Sequence, residues 1–141
     1  MMETSGSPAN PLRVLVVDDE ENIRRILKIN LQTQSCQVDE ARNGEEALDL
    51  LEMERYDLVF VDIMMPYLDG YSVVAKLRQG QGPNRDAPVV AVTALRSDLD
   101  RQRADELGFI DYVPKPFQAK QIRAVVQRLR AARDRGGAEE A

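Results

Sequence analysis

The 141-residue chain is predicted to fold as an α/β protein, an open doubly wound sheet of parallel strands with helices on both faces. Three observations predict it. Short apolar, β-branched runs recur along the chain and read as strands. Between them, apolar residues recur at helical spacing, and regular strand–helix alternation implies a parallel sheet with right-handed crossovers. The length suits one domain with a proper core.

The elements follow in order. Residues 12–17 (LRVLVV) form a first strand that stops at Asp18-Asp19. From Glu20 the period changes, and Ile23, Ile26, Leu27 and Leu31 mark a helix. Residues 36–41 (CQVDEA) make a weaker second strand. Asn43-Gly44 punctuates, and Ala47, Leu48 and Leu51 give a second amphipathic helix. Residues 58–62 are a third strand, ending on Asp62. Pro66 and Gly70 mark a loop in which Asp69 reads as a loop or capping residue; Tyr71, Val74 and Leu77 then continue as a helix. The stretch QGQGPNRDAP (79–88) must be a surface connection. VVAVTA (89–94) is a fourth buried strand. Ser97 with Asp100 resembles a capping box opening a helix over 97–107, which Gly108 closes. DYVP (111–114) is a short fifth strand, and Ile122, Val125, Val126 and Leu129 give the last helical stripe. RDRGGAEEA at the end reads as helix fraying into a tail. The expected organisation is a flexible lead-in over 1–11, one domain over 12–131 and a flexible tail over 132–141. Arg128, Arg130, Arg133 and Arg135 are expected to complement the dipole of the last helix.

Composition narrows the function. The net charge of −5 disfavours nucleic-acid or anionic-membrane binding. No apolar stretch approaches the ~18 residues of a membrane span, and the N-terminus lacks the pattern of a signal peptide. A lone Cys36 allows no internal disulfide and fits a reducing, cytoplasmic setting. No histidine and a single cysteine argue against a zinc site, and the lack of histidine excludes a Ser-His-Asp or Cys-His nucleophile within the chain.

The carboxylates point elsewhere. Open α/β sheets place functional groups outside the carboxyl ends of their strands. Asp18 and Asp19 follow the first strand, Asp62 ends the third, Thr93 ends the fourth and Lys115 follows the fifth. Converging acids repel one another and need a cation. Oxygen ligands without His or Cys point to a hard ion such as Mg²⁺ or Mn²⁺. A divalent ion, an ammonium and a hydroxyl around one carboxylate suit phosphoryl transfer, with Asp62 as the nucleophile. Lys115 also reads as a plain salt-bridge partner of Asp62, and the two roles are compatible: the pair rests as a salt bridge until phosphate arrives.

The segments VLVVDDEENIRRIL, YDLVFVDIMMPYLDG, VVAVTA and DYVPKPF together resemble the receiver domain of two-component response regulators, the class that includes the chemotaxis regulator. The resemblance spans residues 12–131. It implies a flavodoxin-like (βα)5 fold with strand order 2-1-3-4-5. It implies that Asp62 accepts a phosphoryl group from a phosphohistidine of a sensor histidine kinase or histidine phosphotransfer protein. It further implies that Asp18, Asp19, Asp62 and the backbone carbonyl of Met64 hold Mg²⁺. Thr93, the Ala94 amide and Lys115 then contact the phosphoryl oxygens, and Thr93 and Tyr112 form a switch. That switch alters the face made by the fourth helix, fifth strand and fifth helix, and so controls a downstream effector or a homodimer. The Lys115–Pro116 bond is expected to be cis. Apolar Met64 and Leu95 are expected to flank the path of hydrolytic water and to slow loss of phosphate.

Two rivals are weighed. A magnesium-dependent phosphohydrolase of the haloacid-dehalogenase type needs a second Asp two residues after the nucleophile, where this chain has Met64. A scaffold that no longer phosphorylates is the other, although every chemical position is intact. On the family reading the chain is no turnover enzyme and catalyses only its own phosphorylation and dephosphorylation. Whether it stands alone or is a piece of a longer regulator stays open. Asp98, Asp100, Asp111, Lys120 and Arg123 are read as surface ion pairs, with a dimer face as the alternative.

Overall fold

The computed structural model describes residues 11–94 and 99–140, with side chains described up to residue 135. Five strands are formed by the apolar runs: β1 (Leu12–Val17), β2 (Cys36–Ala41), β3 (Leu58–Asp62), β4 (Val89–Thr93) and β5 (Phe109–Pro114). They pair in parallel in the order β2-β1-β3-β4-β5, as the resemblance implies. The helices between and after them are α1 (Glu21–Gln32), α2 (Gly44–Met53), α3 (Gly70–Gln79), α4 (Arg101–Leu107) and α5 (Ala119–Glu140).

Strand side chains alternate between faces, and that period of two builds two cores. Val14, Val16, Phe60, Val90 and Val92 pack with Leu27 and Leu31 of α1 and with Ile122, Val125 and Val126 of α5. Leu15, Val17, Val59 and Val61 pack with Ala47 and Leu51 of α2 and with Val73, Val74 and Leu77 of α3. Each such buried Val, Leu, Ile or Phe contributes roughly 1.5–3 kcal/mol of transfer free energy. A smaller cluster, Ile63, Tyr71, Ala91, Leu99 and Ala104, seats α4. Cys36 is a free buried thiol, and no described helix is long and apolar enough to cross a membrane.

Helix starts follow capping chemistry. Asn43 accepts from the Glu46 amide at 2.8 Å, and Asp69, expected as a loop or cap residue, accepts from the Ser72 amide at 2.8 Å. Gly70 opens α3 because only hydrogen fits: a Cβ there would lie 2.5 Å from the Asp62 carbonyl oxygen. Gly108 closes α4 in the left-handed conformation at φ 79°, as expected.

Several expectations are corrected. Ile26 is 45% exposed; the inward face of α1 is Arg24, Leu27 and Leu31, since a buried guanidinium with good partners replaces an apolar side chain there. α4 starts at Arg101, not 97, capped by Asp100 on the Arg103 amide at 3.2 Å. Ser97, with Leu95 and Asp98, lies outside the described residues, as do residues 1–10 of the expected lead-in. β5 begins two residues earlier than expected, at Phe109. The segment 132–140, expected as a tail, continues α5 as helix. The C-terminal arginines hold neighbouring elements instead of their own helix end: Arg128 pairs with Asp111, Arg130 donates to the Gln34 carbonyl at 2.6 Å, and Arg133 meets Asp57 at 2.8 Å.

Candidate functional site

The parallel order brings the ends of β1, β3 and β4 together, with the residues after β5 beside them. Asp18 and Asp62 are buried, Asp62 at 2% exposure, while Asp19 is exposed. Ligand oxygens of Asp18, Asp19 and Asp62 lie within 4.8 Å of one another. Lys115 Nζ reaches Asp18 at 2.9 Å and Asp62 at 3.2 Å, so the expected salt bridge exists and is shared. Thr93 is buried at the end of β4, and its carbonyl accepts from the Lys115 amide at 2.7 Å. The Lys115–Pro116 peptide is cis.

Each carboxylate is fixed by its own backbone. Asp62 Oδ1 accepts from the Met64 amide at 3.0 Å, leaving Oδ2 to Lys115. Asp18 Oδ1 accepts from the Glu20 amide at 2.9 Å. Asp18 Oδ2 is buried without a hydrogen bond of good geometry; its contact with Lys115 is electrostatic. The Lys115 ammonium at 2.9 Å offsets part of the cost of burying this oxygen. The oxygen's presence beside two further acids fits a hard divalent ion, which the donor set of carboxylate and carbonyl oxygens would bind.

Electrostatics agree. Burial pushes the Asp62 carboxyl up to about 6, the Asp18 charge adds to the rise, and Lys115 and the Met64 amide oppose it. Burial likewise raises Asp18 against the Glu20 amide and Lys115. Burial alone would lower the Lys115 ammonium, but Asp18 and Asp62 outweigh it and the net shift is upward. One ammonium therefore faces several carboxylates, and the cleft favours a further cation.

Two residues join the site that the sequence reading missed. Glu20 Oε1 lies 3.2 Å from Lys115 Nζ, and its place next to Asp19 was the available signal. Arg24 Nη1 donates to the Asp18 carbonyl at 2.8 Å while Nε donates to Glu40 at 3.1 Å, bracing the end of β1. No local pattern marks Arg24, because Glu40 sits sixteen positions away on β2. Met64 is 59% exposed on the rim, Ala94 is exposed just past β4, and Tyr112 is half-buried on β5 beneath the Arg101 guanidinium, 5.0 Å from its ring centre.

Comparison with known proteins gives the same frame. A probable transcriptional regulator, ycf27 of Cyanophora paradoxa, is 44% identical over 120 residues, covering 85% of this chain and 48% of that protein. The chain spans about half the length of the curated relatives it matches. The chemotaxis protein CheY4 of Vibrio cholerae superposes with a TM-score of 0.79 at 28% identity, covering 85% of this chain and 99% of that one. The response regulator TrrA of Thermotoga maritima, solved in complex with Mg²⁺ and BeF, gives 0.74 at 36% identity, covering 84% and 98%. Residues 14–127 match the family described as response regulator receiver domain, and the chain belongs to that family: it is a receiver domain of two-component signalling.

Proposed function

We propose that Asp62 is the phosphoryl acceptor, taking its group from a phosphohistidine of a sensor histidine kinase or histidine phosphotransfer protein. The observation that carries this is the state of Asp62: buried, with one oxygen on the Met64 amide and the other on Lys115, beside the buried Asp18 that shares the same ammonium. In the transfer an Asp62 oxygen bonds to phosphorus as the phosphorus–nitrogen bond of the donor breaks, and the imidazole leaves and is neutralised by a proton. Asp18, Asp19, Asp62 and the Met64 carbonyl would hold Mg²⁺ or Mn²⁺. Bound there, the ion supplies charge neutralisation on the phosphoryl oxygens.

The chain's own groups do the rest. Lys115, already within reach of Asp62, follows the developing charge. The Thr93 hydroxyl and the Ala94 amide complete the cradle at the end of β4. The added group carries about −1.5 to −2 charge at neutral pH. Thr93 moves toward it, the α4 connection follows and Tyr112 reorients. The readout is the α4, β5 and α5 face, acting on an effector or a second copy. The relatives' names favour transcription control as the output, and a lone cysteine suits a reducing, cytoplasmic setting. The chain's catalysis is confined to its own phosphorylation and dephosphorylation.

The test is direct. Incubation with acetyl phosphate and Mg²⁺ should add one phosphoryl group by mass spectrometry, and Asp62→Asn should add none. Beryllofluoride with Mg²⁺ should change the α4–β5–α5 face, read by hydrogen exchange and by mass in solution. A wild-type chain that stays unmodified, or a variant modified as well as wild type, would sink the reading. Steady turnover of p-nitrophenyl phosphate would point to a hydrolase instead.

A further inference from the structure

Arg24 carries a geometry that core packing does not account for. It lies near the start of α1 with its side chain turned inward and only 9% exposed. Taking a guanidinium out of water is expensive unless its donors are met. An aliphatic side chain would fill the inward position without that cost, as Leu27 and Leu31 do one and two turns further on. The donors of Arg24 are met on two different elements. Nη1 donates to the Asp18 carbonyl at 2.8 Å, past the end of β1, and Nε donates to Glu40 Oε1 at 3.1 Å, on β2. The other Glu40 oxygen meets Lys28 at 3.5 Å, so the carboxylate that steadies Arg24 is itself held. A planar guanidinium reaches two acceptors in one fixed geometry, which a flexible ammonium does not.

Asp18 lies one residue beyond the last paired position of β1 and β2, Val17 opposite Ala41. Three hydrogen bonds hold it there. Its amide donates to the Ala41 carbonyl at 3.1 Å, its Oδ1 accepts from the Glu20 amide at 2.9 Å, and its carbonyl accepts from Arg24. The third bond acts on the next residue. A peptide is planar, so a carbonyl fixed at Asp18 sets the direction in which the chain leaves for Asp19. Asp19 is the exposed member of the three acids whose oxygens lie within 4.8 Å of one another. We infer that Arg24, braced by Glu40, is a positioning residue for the divalent ion: it sets the Asp18–Asp19 peptide so that both carboxylates serve one point. The inference rests on the ion-binding part of the function proposed above. Charge works against it, because a fixed cation near the site repels a second one. Any net help from Arg24 therefore comes through geometry.

The experiment titrates Mg²⁺ alone into the full chain, followed by amide NMR shifts, for wild type, Arg24→Lys and Arg24→Met. Lysine keeps the charge and loses the fork; methionine loses both. Both variants should raise the Mg²⁺ dissociation constant by about tenfold or more, the effect expected when a group that orients metal ligands is removed. The Mg²⁺ concentration giving half-maximal labelling by acetyl phosphate should rise in step. Charge alone predicts no change in Arg24→Lys and tighter binding in Arg24→Met. A merely structural brace predicts a lower thermal midpoint in chelator with Mg²⁺ affinity at the wild-type value. Either pattern would overturn the positioning role, as would a wild-type chain that binds no Mg²⁺ or a failure of both variants to fold. Weakened Mg²⁺ binding in the variants, alongside a wild-type chain that acetyl phosphate cannot label, would keep the positioning role and sink the Asp62 reading alone.

Discussion

Asp62 is held against its own preference. Its carboxyl sits at about 6 against an ordinary 3.8, raised by burial and then by Asp18. A carboxyl raised on folding favours the folded state below the ordinary value, and that contribution is lost as pH rises through about 6. Asp62→Asn should therefore stabilise the chain in chelator above about pH 7, by roughly 1–3 kcal/mol. Urea unfolding should show the gain vanish below the ordinary carboxyl range, and Mg²⁺ should raise the wild-type midpoint more than the variant's. Asn84 is the opposite case, a polar residue the fold depends on. It accepts from the Tyr56 amide at 2.8 Å and donates to the carbonyls of Leu51 at 2.7 Å and Glu54 at 2.6 Å. Asn84→Ala strands these groups and should cost about 2–3 kcal/mol in the same unfolding assay. The acids and Lys115 were legible as residues because each ends or follows a strand run. Asn84 was not: its partners lie 28 to 33 positions away, and its own stretch reads only as a Gly- and Pro-rich connection.

Among elements, β1, β3 and β4 were the most legible, because burial on both faces writes a continuous apolar run. α4 was the least. Seven residues with one buried side chain, Ala104, leave little periodicity to read, and its cap is Asp100. α1 misled for a different reason, since Arg24 occupies an inward position that a hydropathy pattern assigns to an aliphatic residue. Two substitutions test how elements fix the site. Gly70→Ala forces a methyl against the end of β3, and should destabilise the chain by about 1–3 kcal/mol and slow modification by acetyl phosphate. The Tyr71 hydroxyl on α3 accepts from the Asp100 amide, tethering the start of α4, and Arg103 covers the ring at 4.6 Å. Tyr71→Phe keeps the packing and removes the tether. Amide exchange over 101–107 should quicken, with a cost of about 0.5–1.5 kcal/mol.

At the scale of the molecule, the sheet order was legible only through resemblance to a family, because alternation of elements fixes their kind and not which strand lies beside which. Once the order is set, the acids, Thr93 and Lys115 share one edge. The opposite edge is tied by longer polar links: Arg13 to Asp39 at 3.3 Å and to Glu54 at 3.5 Å, and Arg133 to Asp57 at 2.8 Å. Arg78 ties α3 to the carbonyls of Leu107 and Ala87 at 2.8 Å each. Communication between the site and the α4–β5–α5 face is tested by Thr93→Ala. The variant should still bind beryllofluoride with Mg²⁺ but lose most of the accompanying change in hydrogen exchange on that face. An unchanged exchange response would place the coupling elsewhere.

The hydrogen-only clearance at Gly70 has a mechanical corollary. With the first turn of α3 seated close against its carbonyl, the Asp62 backbone has little room on that side. On the other flank a short helix is moored by its Asp100 cap, the Tyr71 phenol, the Arg78 link to Leu107 and the small cluster around Ala104.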